Sequence, residues 1–405
     1  VSGPALPSGN AWNVNLHNGN SNWNNQNNHY HVRAVRAGEC HDAVCFPALY
    51  AAWRDARRGK KPSADRLAFD MGYLDLLFAL QDELNACTWH PSPPTCFVQL
   101  TPKAREIHAP AFADRVVHHW LVPQLENLYE PTFIHDSFSN RVGKGTHAAV
   151  RRLQRFVRQV ASGQGGGYYL QLDVANFFNS IHRPTLWQLL KRRMERAGLP
   201  AVVQRATHAL LNYPIERTGV HWACSAEERA AVPAHKRLEN SAPGCGIAIG
   251  NLSSQFFANV YLDRLDQFVK HVLKAQRYVR YVDDFVLVHH SREQLEAWRD
   301  AIAAFLASEL RLQLKAEQKL LALGDGIDFL GYVVLPTHTV VRRRVVSHCR
   351  QKLAAWARRR DRSAAALEEL RSVWSSYLGH FRHARHHRLL VRMSARFPWL
   401  AEIVK

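Results

Sequence analysis

Apolar residues recur every three to four positions over residues 46–58 and 64–84, the spacing of helices that bury one face. The same period returns in the run that leads to Leu128, in a basic stretch at 148–160, and at 251–270 and 293–309. From Arg342 the pattern is helical almost to Lys405. Short alternating segments interrupt the helices at 96–100, 168–173, 277–282, 285–289 and 327–334, and these predict strands. Two of them meet at Asp283-Asp284, so 277–289 reads as a hairpin carrying paired carboxylates at its tip. Long helices around a few short strands predict an α+β chain with a small antiparallel sheet. The polar, proline-bearing stretch 224–243 reads as an exposed excursion.

Residues 1–38 follow neither period. Ten of the nineteen residues from Asn10 to Asn28 are Asn, and Trp12, Val14 and Leu16, then Asn18-Gly19, then Val32–Arg36 read as strand, turn and strand. The whole chain, at 405 residues, is long enough for two or three domains. Its formal net charge of +19, with 23 histidines besides, points to a polyanionic partner, nucleic acid first. Seven cysteines without compact disulfide spacing suggest a reducing compartment, and no apolar run reaches membrane-spanning length. Cytoplasm and no membrane partner are the expectation.

The chemistry gathers at carboxylates. Tyr168-Tyr169-Leu170-Gln171-Leu172-Asp173 is an apolar strand that ends on an acid, and beside the Asp283-Asp284 hairpin it would bring Asp173 and Asp283 together. Hard oxygens so placed suit two Mg²⁺ ions, or Mn²⁺, and phosphoryl transfer needs that electrostatic clamp more than acid–base side chains. Gly143-Lys144-Gly145-Thr146 lacks the earlier glycine of a phosphate loop, which excludes a nucleotide-hydrolase reading; Arg141 and Lys144 remain cations for a triphosphate.

With these segments in order, the sequence resembles the reverse transcriptases over roughly residues 97–387. Tyr281-Val282-Asp283-Asp284 is similar to the YxDD box, and Asp173-Val174-Ala175-Asn176-Phe177-Phe178 to the first catalytic motif. The resemblance implies a right hand of helical fingers, a small antiparallel palm sheet and a helical thumb. It makes Asp173 and Asp283 the main metal ligands, with Asp284 assisting. It sets Phe178 beneath the incoming sugar, where a ring rejects a 2′-hydroxyl, and Lys319 near the triphosphate, although Leu320 stands where the family has threonine. Lys103, Arg105, Arg141 and Lys144 lie in segments similar to the fingers motifs, and Phe329-Leu330-Gly331-Tyr332 resembles the primer grip.

Ile249-Gly250-Asn251-Leu252-Ser253-Ser254-Gln255 departs from the QGxxxSP pattern of intron enzymes and is similar to the IGxxxSQ of diversity-generating retroelements. Ile249 gives the nucleotide pocket an apolar wall with no amide; Gly250 and Gln255 belong to the same wall. The resemblance therefore implies error-prone copying, with misincorporation opposite template adenine. It also implies template RNA, an RNA/DNA hybrid, deoxynucleotides and a basic helical accessory protein as partners. The Asn-rich start is similar to the tail of a lectin-like variable protein, so 1–38 is expected to be such a tail or a translated template repeat. Residues 39–341 then form fingers and palm, and 342–405 a basic thumb whose Arg342, Arg343, Arg344, Arg350 and Lys352 track phosphates. The other readings are an antiphage defence reverse transcriptase and an RNA-binding intron-type maturase.

Overall fold

Four strands order the body of the protein: Tyr278–Tyr281, Asp284–His289, Tyr168–Asp173 and Lys319–Ala322, side by side in that sequence and all antiparallel. Successive side chains point to opposite faces, and both faces are covered. Leu170, Leu172, Tyr278, Phe285 and Leu287 join the larger core with the helices Leu252–Gln267 and Arg292–Leu310. Tyr169, Val279, Val286 and Val288 pack on the other side with the helix Thr146–Ala161 and the hairpin strands Ile327–Phe329 and Tyr332–Val334. This explains why the strands read as largely apolar runs, interrupted inside by Gln171 and Arg280, with Asp173 and Asp284 at the ends beside the turn.

This computed structural model describes residues 44–400 apart from 60, 102, 164–165 and 214–218, together with the backbone of two short strands near the start. Contacts divide the chain between Asp42 and Ala43. The first unit holds an antiparallel pair, Asn10–Val14 with Ser21–Asn25, which sets Trp12 opposite Trp23. The expected turn at Asn18-Gly19 and the expected strand at 32–36 lie outside the described residues.

In the second unit, the helices Phe46–Arg57, Ala64–Met71, Tyr73–Asn85 and Phe112–Tyr129 build the helical layer ahead of the sheet. The single helix expected over 64–84 is two, divided at Gly72, which ends one and starts the next. Pro123 sits inside the fourth without ending it. The strands Thr95–Gln99 and Arg105–Ala109 pair antiparallel, and His221–Trp222 adds a parallel edge that local periodicity did not announce. Beyond Arg342 three helices, Arg343–Arg358, Ala364–Phe381 and His387–Arg396, enclose their own core around Leu353, Trp356, Leu370 and Trp374. Among the described residues no helix is long and apolar enough to cross a membrane.

Candidate active site

Tyr281 pairs with Asp284, so only Val282 and Asp283 form the turn of the hairpin. Val282 has φ 55°, a left-handed backbone that a β-branched residue rarely adopts. Asp284 stands directly opposite Asp173, and the Val174 amide donates to the Asp283 carbonyl at 3.3 Å. The carboxylates of Asp173 and Asp283 thus share one site. Burial, then the charge of Asp173, pushes Asp283 up to about 6. Burial pushes Asp284 to about 7; a hydrogen bond from Gln171 works the other way, and the charges of Asp173 and Asp283 add to the rise.

Two neighbours hold these acids. Gln171, two residues before Asp173 on the same face, donates Nε2 to Asp284 Oδ1 at 3.1 Å and to the Asp328 carbonyl at 3.1 Å. Lys315 Nζ donates to Asp173 Oδ2, and the Lys315 amide donates to the Asp173 carbonyl at 2.8 Å. Asp173 Oδ1 is enclosed without a donor. A half-buried pair of repelling carboxylates with one oxygen unsatisfied is a hard-oxygen set that a divalent cation fits. Among the described residues no three His, Cys, Asp or Glu side chains meet as a ready-made metal cluster. The pair is Asp173 with Asp283, while Asp284 turns to Gln171.

The expected nucleotide wall lies next to this pair in the backbone. The Ile247 amide donates to the Phe178 carbonyl at 2.9 Å, which ties the segment carrying Ile249 to the turn after Asp173. Phe178 is half-buried. The Ile249 carbonyl accepts from the His108 amide at 2.8 Å, and so joins the wall to the Arg105–Ala109 strand. Gly250 has φ 125°, and a Cβ there would stand 2.9 Å from the His108 carbonyl oxygen, so the close approach requires glycine. Gln255 is exposed on the following helix, and Lys319 is exposed opposite Gln171, on the face of Asp173.

The reverse transcriptase (RNA-dependent DNA polymerase) family matches residues 99–334, more than half of the chain. The chain belongs to the reverse transcriptase family. It is 23% identical over 300 residues to protein YkfC of Escherichia coli (strain K12), covering 65% of this chain and 71% of that protein. Identity to the group II intron-encoded protein LtrA of Lactococcus lactis subsp. cremoris is 21% over 271 residues, 57% of this chain and 44% of LtrA. Among solved structures, telomerase from Candida albicans with a fragment of telomeric RNA aligns at TM-score 0.38 and 12% identity, over 77% of this chain and 66% of that one. Apo telomerase from Candida tropicalis aligns at 0.42 and 10%, over 65% and 53%. The α+β fold is that of a right-hand polymerase, with helical fingers, antiparallel palm and helical thumb.

Several other expected site residues of this reverse transcriptase have their donors engaged elsewhere. Arg141 is buried in its own loop, bonded to Glu130 and to the carbonyls of Ile134 and Ser137 at 2.7 and 2.9 Å. Lys144 donates to the His135 carbonyl at 2.9 Å, and burial, then Arg141, draws its pKa down. Neither is brought to the carboxylates by the contacts it makes. Lys103 and Arg105 are exposed at the strand pair of the fingers. Phe329 and Tyr332 are buried on either side of the turn made by Leu330 and Gly331, and the Tyr332 hydroxyl donates to the His380 carbonyl at 2.8 Å. Arg342 pairs with Asp328 at 2.9 Å. Arg343, Arg344 and Lys352 are exposed, and Arg350 is half-buried.

Sequence reasoning missed Lys315, Gln171 and His380. Gln171 carried a usable signal, because period 2 sets it on the face of Asp173. Lys315 and His380 reach the site only through tertiary packing, and no local spacing marks them.

Proposed function

We propose that this reverse transcriptase copies RNA into DNA by two-metal nucleotidyl transfer at Asp173 and Asp283, and that it serves a diversity-generating retroelement. The observation that carries the catalytic part is the strand register that sets Asp284 opposite Asp173 and bonds the Val174 amide to the Asp283 carbonyl, with Asp173 Oδ1 left without a donor. Asp173 and Asp283 would hold Mg²⁺ or Mn²⁺, with Asp284 behind them. The cations, when bound, supply the charge stabilisation that phosphoryl transfer requires. Lys315 keeps one oxygen of Asp173 paired, and Gln171 fixes Asp284, so the acids hold their places before a nucleotide arrives. The Phe178 ring would press on the sugar and favour deoxynucleotides.

Primer extension on an RNA template tests this reading. Asp283→Ala should lower DNA synthesis by roughly 10³-fold or more, the scale of a lost electrostatic anchor; an unchanged rate would reject the assignment. Removing divalent cations with EDTA should stop synthesis, and Mg²⁺ or Mn²⁺ should restore it.

The retroelement role rests on Ile249. An apolar wall discriminates by shape alone, whereas a hydrogen-bonding wall penalises a wrong partner more strongly. Sequenced products should carry errors concentrated opposite template adenines, and Ile249→Gln should reduce them by about tenfold. Uniform accuracy at adenines in the unmodified enzyme would reject the mutagenic role. A template RNA and a basic helical accessory protein would be its partners, in the cytoplasm. Similarity to LtrA favours a second reading, an intron-type protein bound to its own RNA, although the chain matches 44% of that relative. Flanking DNA with a near-repeat differing at adenines would favour the first, and an intron around the gene the second.

A further inference from the structure

Arg280 is fully buried in a strand whose neighbours are apolar, three residues before Asp283. Its five N–H donors are all used. Nε and Nη2 hold the two oxygens of Asp266 at 2.7 and 2.6 Å, and Asp266 is itself fully buried on the helix Leu252–Gln267. Nη2 also reaches Ser137 Oγ at 3.0 Å, and Nη1 reaches Asn259 Oδ1 at 3.4 Å. The last donor, on Nη1, goes to the Val282 carbonyl at 2.9 Å. That carbonyl belongs to the residue whose left-handed backbone turns the chain to present Asp283. The Arg280 backbone is fixed as well: its amide donates to the Asp136 carbonyl and its carbonyl accepts from the Phe138 amide, both at 3.0 Å.

We infer that Arg280, anchored by Asp266, is a positioning residue that holds the Val282–Asp283 turn in its disfavoured conformation and so keeps the Asp283 carboxylate beside Asp173. A buried arginine in this place does more than fill the core. An apolar side chain could fill that volume, but only a forked cation reaches a helix carboxylate, the loop at Ser137 and the turn carbonyl together. Lysine has three donors on one nitrogen and cannot span them. With the Val282 carbonyl unheld, a β-branched residue relaxes toward extended backbone and carries Asp283 away.

The inference rests on the catalytic reading of Asp283, and the test separates the two. Arg280→Lys and Asp266→Asn are made alone and combined with Val282→Gly, since glycine adopts positive φ without strain. RNA-templated primer extension gives kcat and KM for the deoxynucleotide, and thermal melting gives the fold. Arg280→Lys should lower kcat by roughly 10²-fold, as small misplacements of reacting groups do, with KM within about twofold. Adding Val282→Gly should restore about tenfold of the lost kcat while the melting temperature stays at the Arg280→Lys value. Asp266→Asn, which leaves the hairpin sequence intact, should give the same loss and the same rescue.

Absence of rescue, or rescue that follows melting temperature, would overturn the inference and leave Arg280 a residue of fold stability only. Failure of both single variants to fold, with or without Val282→Gly, would overturn it equally. Asp283→Ala run alongside tells the cases apart: if it still makes DNA, the active-site reading has failed; if it is dead and Arg280→Lys is fully active, only the positioning role has.

Discussion

At the scale of the residue, Asp283 combines a poor environment for a charge with a task that needs one. Burial and Asp173 raise its pKa to about 6, against 3.8 for an ordinary aspartate. A carboxyl raised on folding contributes its full stability below the unfolded value, where it is protonated in both states. That contribution is lost as pH rises through the folded value. The cost of ionising the cluster therefore appears between about pH 4 and 6 for Asp283, and extends to about 7 for Asp284. In EDTA at pH 8, Asp283→Asn should raise the melting temperature by a few degrees, and the gain should vanish near pH 4. The same variant should be inactive with Mg²⁺. Equal melting temperatures at both pH values would mean that the carboxylates do not repel as their burial implies. Both acids were legible in the sequence, because a strand ending on Asp173 and a hairpin tipped with Asp283 are local patterns. Lys315 and Asp266 were not: Lys315 meets Asp173 from far along the chain, and Asp266 meets Arg280 only because its helix packs on the strand that follows.

At the scale of the element, the hairpin Ile327–Phe329 with Tyr332–Val334 shows how far a local pattern reaches. Its alternation predicted two strands, and Leu330 and Gly331 turn between them at φ 51° and 88°, the paired positive values of a tight hairpin. What the pattern did not contain is the lid on that turn. A Cβ on Gly331 would stand 3.2 Å from the His380 ring, and that ring stacks on Tyr332 with centroids 4.2 Å apart. Gly331→Ala should therefore destabilise the enzyme by about 1–3 kcal/mol through backbone strain. It should also weaken primer binding, because the turn and the helix Ala364–Phe381 would have to separate. Leu330→Gly relieves the neighbouring positive φ but removes a side chain packed on the core, so it should lower the melting temperature less than Gly331→Ala does. A melting series with both variants checks the pair, and a stabilising Gly331→Ala would count against the hairpin–thumb contact. The same limit explains two other elements. Gly72 divides a helix that periodicity ran together, since an amphipathic repeat continues across a break that keeps its face. His221–Trp222 pairs parallel with a strand more than a hundred residues earlier, a non-local partnership invisible in a two-residue segment.

At the scale of the whole molecule, the net charge of +19 is the property that composition announced and the fold distributes. Many cations are occupied within the protein: Arg152 and Lys270 hold Asp136, Arg280 holds Asp266, Arg141 holds Glu130 and Arg342 holds Asp328. Arg343, Arg344 and Lys352 on the first thumb helix are exposed instead, and that helix turns its Cys349, Leu353 and Trp356 into the thumb core. Changing these three cations to glutamine should leave the core intact, and it tests whether the thumb follows a phosphate backbone. If each neutralises one phosphate, the slope of log binding constant against log salt should fall in magnitude by about 2–3, at roughly 0.7–0.9 for each contact. An RNA/DNA duplex offers shape and phosphates in place of readable base edges, so two unrelated duplex sequences should lose affinity equally. Fluorescence anisotropy across a salt series measures both quantities, and melting temperature confirms that the fold is unchanged. A slope that does not move would place the duplex track on another face. A loss confined to one sequence would mean that the helix reads bases, which backbone-tracking cations do not do.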